Sequence, residues 1–166
     1  MTPRIERAAV TIALVALALW VGGLFALGAI AAPAVFGLVP APLSGDAMGT
    51  AFRRFDAVAM TCAVVVLAVE ALRQRAGSDH HSRASRWRVV AAVGASASAI
   101  AIGAWVSPEI MRLHGLGAVR GFGDAGLALH RLHEVAERLG KLEVTLGLAL
   151  IVLHAVTMPA PAEGRR

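Results

Sequence analysis

Hydrophobic residues gather in four blocks, at residues 8–39, 57–72, 89–107 and 142–158, with short polar stretches between them. Each block extends to the roughly 20 residues a helix needs to cross the hydrocarbon of a bilayer. None alternates with the period of two that marks a barrel strand. Lipid offers no water to backbone amides and carbonyls, so each block must satisfy its own hydrogen bonds as a helix. The pattern predicts an all-α, integral membrane four-helix bundle, a single transmembrane domain over residues 1–166. Its helices are expected over about residues 8–39, 50–74, 87–112 and 126–158.

Composition points the same way. The chain is 57% hydrophobic and 16% charged, whereas soluble domains are roughly 45–50% apolar and about 25% charged. The first block is far longer than the roughly 7–15-residue core of a secretory signal, so it is expected to remain as a span. The single cysteine, Cys62, falls inside the second block and leaves no intrachain disulfide to form. A formal charge of +5 does not point to nucleic acid, because the basic residues flank membrane helices and no soluble domain carries them. The expected partners are the lipid bilayer and, through helix packing, a second copy or another membrane protein.

Basic residues also set an expected orientation. Nine of the sixteen lie on one side: Arg4, Arg7, Arg73, Arg75, Arg83, Arg86, Arg88, Arg165 and Arg166. Seven lie on the other: Arg53, Arg54, Arg112, Arg120, Arg131, Arg138 and Lys141. The loop "RQRAGSDHHSRASRWR" concentrates five arginines beside two membrane ends, which by the positive-inside rule places both termini in the cytoplasm of an inner or plasma membrane. Trp87 suits an interfacial anchor there, with Trp20 and Trp105 inside or near the far boundary. The other two loops, "VPAPLSGDAMG" and "HGLGAVRGFGDAG", read as turns and irregular linkers.

The chain also reads as one helical hairpin written twice. Pro33 and Pro108 stand near the ends of the first and third helices, and "FRRFDAVA" at 52–59 parallels "LHRLHEVA" at 129–136. Two hairpins of equal orientation related along the membrane normal are a transporter pattern. A loop re-entering lipid through an amphipathic turn gives the same short match.

The residues that could carry chemistry concentrate in "LHRLHEVAERLGKLEVTLGLALIVLHA", 129–155. Helical spacing puts His130, His133, Glu134, Glu137 and Lys141 on one broad face. His130, His133 and Glu134 are the candidate metal ligands, an imidazole and carboxylate set suited to copper or zinc. The alternative is a hydrated face in which Glu134 pairs with Arg138 and Glu137 with Lys141. Met48, Met111 and His114 would add soft ligands for copper. The opposite face carries Leu132, Ala136, Leu139, Glu143, Gly147, Leu150 and His154, and is expected to face the bundle interior. Gly140 and Gly147 would admit a neighbouring helix there.

A carboxylate in lipid is costly, so Glu143 needs a partner. The second helix offers Asp56, Arg53 or Arg54 near one boundary, while Glu70 is expected to approach His154 near the other. Asp56, Glu70, Glu143 and His154 are thus the buried polar candidates, as register-fixing pairs or as stations of a proton or ion path. No nucleophile with a base and orienting group is evident, and no cofactor fingerprint, so the expectation is a protein that is not an enzyme.

"WVGGLFALGAIAAPAVF" (20–36), "GTAFRRF" (49–55), Ser107–Pro108 and "LHRLHEVAERLGKLEVTLGL" (129–148) resemble the transmembrane protein 205-like family, a bacterial membrane domain of unknown function. The resemblance covers nearly the whole chain and implies four membrane helices with no established reaction. That family's last helix carries a histidine followed by serine and asparagine. His133 takes the first place, while Ala136 and Gly140 stand at the other two. "LWVGGL" resembles the copper-resistance D type of membrane protein, which implies metal handling as an alternative to a packing module.

Overall fold

A computed structural model describes residues 2–77 and 82–158. Four long helices follow one another up and down: α1 Pro3–Leu38, α2 Leu43–Arg75, α3 Arg83–Gly115 and α4 Gly123–Val156. Each is long and apolar enough to cross a membrane. At about 1.5 Å per residue, each is longer than the hydrocarbon is thick, so each tilts or projects beyond it. The helices close a ring in which α1 packs on α2, α2 on α3, α3 most extensively on α4, and α4 back on α1.

The helices overrun the apolar blocks at both ends. Thr2 accepts a hydrogen bond from the Ile5 amide and Pro3 occupies the first turn, so α1 starts five residues before its block. Ser82 caps α3 in the same way, accepting from the Ser85 amide at 3.1 Å. The stretch 43–49, expected as irregular, is the first two turns of α2, held by buried Ser44 and Met48. The other linker does break. After α3, Gly117 adopts φ +75 and its amide returns to the His114 carbonyl at 2.9 Å, a left-handed helix stop that favours glycine.

In α1 and in α3 the helix widens at one place. Ala26–Ala31 and Ile102–Val106 are π-helical, and each ends two residues before a proline, Pro33 or Pro108. A proline has no amide to donate and crowds the carbonyl four residues back, here Ala29 or Ala104. The wider turn accommodates both effects without breaking the span. The recurrence makes the two hairpins alike in a feature that their short sequence match does not contain.

Burial is distributed as in a membrane bundle. Large apolar side chains such as Ile12, Leu19, Val64, Val93, Leu148 and Val152 face outward. The interior is lined by Ala13, Ala16, Ala63, Ala92, Ala95 and Ala99 around Leu17, Trp20, Val66 and Leu150. Helices in lipid gain little from hiding oil from oil; close packing of small residues and buried polar contacts hold them instead. Gly147 serves this directly, because a Cβ there would run into Val21 of α1, whereas Gly140 faces open space.

Candidate functional site

The densest polar chemistry lies at the end of the bundle that carries both termini. Glu6 comes from α1, Glu70 and Arg73 from α2, Arg88 from α3 and His154 from α4, with Thr157 just beyond α4. Glu70 and Arg88 stand nine residues either side of position 79, the middle of the α2–α3 connection, so an antiparallel hairpin brings them level. Arg88 Nε donates to both carboxylate oxygens of Glu70, at 2.7 and 2.9 Å. Arg88 also donates to the Thr157 hydroxyl at 3.1 Å, and that hydroxyl donates to the Leu153 carbonyl at 2.7 Å.

Arg73 reaches across the bundle from α2. It lies 3.4 Å from Glu6, donates to the Thr157 carbonyl at 3.3 Å, and meets His154 Nδ1 at 3.4 Å. A guanidinium has only donors, so Nδ1 of His154 must accept, which puts the imidazole proton on Nε2. That nitrogen stands 3.3 Å from Glu70 Oε1, a close approach without hydrogen-bond alignment. Among the described residues, two guanidinium groups, two carboxylates and a neutral imidazole thus gather in one cluster. Glu70, Arg73, Arg88 and His154 are all buried, with Arg88 and His154 at 0% exposure.

Sequence reasoning placed Glu70 near His154, and they do meet. Arg73 and Arg88, expected as flanking charges, turn inward to join them, and Glu6, which no sequence pattern marks, pairs with Arg73. The signal for Arg88 was the symmetry of the hairpin about position 79; nothing in α1 singled out Glu6.

A second polar layer lies deeper in the bundle. Trp20 Nε1 donates to Glu143 Oε2 at 2.8 Å, joining α1 to α4. Glu143 is buried, and its Oε1 has no hydrogen-bond partner among the described residues. Asp56 of α2 lies beside Ser107 of α3 and close enough to Glu143 to interact with it electrostatically. Its Oδ2 is likewise without a described partner. Asp56, Arg53 and Arg54 were the expected partners of Glu143; the donor is Trp20, while Arg53 and Arg54 are exposed. Between the two layers the core is apolar apart from Ser96 and Ser98 of α3.

The histidine-rich face of α4 is arranged differently. Arg120 donates to His130 Nδ1 at 3.0 Å, and His130 Nε2 lies 3.5 Å from Glu134. Arg138 is 3.9 Å from Glu134 and Lys141 is 2.6 Å from Glu137, a ladder along an exposed helix face. His133 departs from that face: it is half-buried, its Nδ1 lies 2.8 Å from the Leu129 carbonyl, and its ring meets His114 edge to face at 6.0 Å. Both nitrogens of His130 are engaged by Arg120 and Glu134. Among the described residues, no group of three or more His, Cys, Asp or Glu side chains stands close enough to hold a metal ion. Met111 approaches Gly49, and Met48 is buried in the bundle. His80 and His81, expected to be solvated in the arginine-rich loop, lie outside the described residues.

These features define a multi-pass membrane bundle of four helices, closed at one end by a buried ionic cluster. The chain belongs to the family described as domain of unknown function (DUF4149), which matches residues 15–118. That segment holds Trp20, Asp56, Glu70, Arg73 and Arg88, while Glu143 and His154 lie beyond it on α4. No curated protein and no solved structure matches the chain.

Proposed function

We propose that this is a non-enzymatic inner-membrane module of the transmembrane protein 205-like type. It acts by packing its lipid-facing helices against a second copy or other membrane proteins, with both termini in the cytoplasm. One observation carries this reading: buried ionisable side chains of three helices and the half-buried Glu6 of α1 meet one another at the terminus-bearing end. Groups committed to mutual pairing in this way fix helix register and hold a rigid outer surface. The grooves on that surface are lined almost wholly by apolar side chains, which suits contact with helices and acyl chains.

A photo-crosslinking residue placed in turn at Val64, Val93 and Val152 tests this reading in native membranes. Protein adducts confined to one or two of these faces are expected. A chain that crosslinks to lipid alone at all three positions refutes it. A reporter fused after Arg166 tests the orientation and should read out in the cytoplasm.

A transport reading is favoured by a separate observation, the unpartnered oxygens of Glu143 and Asp56 in the deeper layer. There the pair would carry a proton or small cation through the bilayer. Proteoliposomes containing the protein would then show a flux that Glu143→Gln abolishes while the melting temperature holds. No flux above empty liposomes removes this reading. Copper or zinc handling at His130, His133 and Glu134 is tested by metal analysis of the purified chain beside His130→Ala and His133→Ala.

A further inference from the structure

The outer surface between α3 and α4 carries a groove of about 570 Å³, within the size range of small-molecule sites. Trp87, Val90 and Ala91 form one wall, and Leu146, Ala149 and Val152 the other. Its depth has a local cause. Ala91 and Ala149 are small, and Leu146 leans over Gly94, where a Cβ would come within 2.9 Å of its methyl group.

The groove runs toward the end that carries the termini, and its mouth is basic. Trp87 is 66% exposed in the opening turns of α3, the placement of an interfacial aromatic anchor. Arg83 lies one turn before Trp87 and Arg86 one turn before Val90, so both arginines share the helix face that borders the groove. Both are exposed. Among the described residues at this end, the exposed charged side chains are Arg4, Arg75, Arg83 and Arg86, all cations. The described carboxylates at the same end, Glu6 and Glu70, are drawn inward to Arg73 and Arg88. An apolar slot beneath a rim of guanidinium groups is complementary to one class of ligand.

We infer that this groove holds an acyl chain of an anionic phospholipid, whose headgroup phosphate is bound at the rim by Arg83 and Arg86. Guanidinium groups bind phosphate oxygens in paired, charge-assisted hydrogen bonds, which a zwitterionic lipid engages less well because its own ammonium competes. A partner helix is a poorer occupant, because it would bury Trp87 and leave both arginines without an anion. The lipid site does not rest on the proposed packing role, and the two compete for the outer surface only at the face that carries Val152.

The test uses the full chain in nanodiscs containing equal amounts of phosphatidylglycerol and phosphatidylcholine with identical acyl chains. After release into mild detergent, native mass spectrometry counts the lipids retained. The wild type is expected to keep phosphatidylglycerol several-fold over phosphatidylcholine. Arg83→Gln with Arg86→Gln should bring the two lipids to parity. Ala149→Phe, which fills the groove from an exposed position, should reduce retention of both; Ala149→Leu repeats the test if the larger side chain impairs folding. Equal retention by the wild type overturns the inference, as does an unchanged preference in the double arginine variant. A dimer mass that excludes lipid from the groove would assign it to a second copy and also overturn the inference.

Discussion

Two ion pairs of nearly equal length stand in opposite surroundings in this bundle. Arg88 meets Glu70 at 2.7 Å with 0% and 4% of their side chains exposed, while Lys141 meets Glu137 at 2.6 Å with 74% and 63% exposed. The first links two helices and is joined by residues from the other two; the second links neighbouring turns of one helix. Distance alone would rank them alike. What separates them is the cost of the alternative: away from solvent an unpaired charge has nowhere to go, whereas at the surface water or a headgroup replaces the partner.

The largest effect is therefore expected from breaking the buried pair on one side. Arg88→Met leaves the Glu70 carboxylate buried against an apolar side chain, which should cost about 3–5 kcal/mol. Thermal unfolding in detergent measures it. Replacing both partners, Arg88→Met with Glu70→Met, should recover most of that loss, because no uncompensated charge remains. If the double variant is as unstable as the single one, the cluster acts through Arg73 and His154 rather than through this pair.

The deeper layer offers an intermediate case. Trp20→Phe keeps the apolar ring but removes the only hydrogen-bond donor to Glu143 among the described residues, stranding a buried acceptor at about 1–3 kcal/mol. Glu143→Leu in the Trp20→Phe background should restore part of it. An unchanged melting temperature for Trp20→Phe would mean that Glu143 is satisfied by some other group, and would strengthen the transport reading of the Asp56 and Glu143 pair.

What the sequence made legible depended on periodicity. Four apolar blocks define four spans, and the 3.6-residue period of α4 picks out Glu143, Gly147, Leu150 and His154, which are buried, with Leu132, Ala136 and Leu139 half-buried on the same face. Partner choice was harder to see, because it depends on how far one helix slides along another. Glu143 pairs with Trp20 because α1 lies beside α4, a neighbour relation that local sequence does not encode. Arg73 and Arg88 were hidden by a different effect. Arginines near helix ends ordinarily mark the cytoplasmic side, and that same chemistry disguised two that fold inward. His133 escaped its assigned face because His114, from the end of α3, packs against it.

Steric contact supplies a smaller probe of the same interior. Gly147→Ala gains helix propensity but drives a methyl group into Val21, whose branched side chain has little rotamer freedom. The net cost should be about 1 kcal/mol, since crowding of a packed site outweighs the propensity gain. Gly140→Ala, with nothing within 4 Å of the added carbon, should be neutral or slightly stabilising. The two substitutions are chemically identical and lie two turns apart on α4, so a difference in melting temperature reports the α1 contact and nothing else.

The smallest effect belongs to the shortest of these pairs. Lys141→Ala removes a 2.6 Å contact, yet its melting curve should overlay that of the wild type, and Glu137→Ala should behave in the same way. Both side chains project outward from the helix, where water or headgroups would hydrate whichever charge is left, and holding two long side chains together costs rotamer entropy. A double-mutant cycle makes the comparison quantitative: coupling between Lys141 and Glu137 should vanish at high salt, whereas coupling between Arg88 and Glu70 should persist, because salt screens exposed charges and does not reach buried ones. Salt-insensitive coupling at Lys141 would instead place that turn of α4 against a partner or within the membrane.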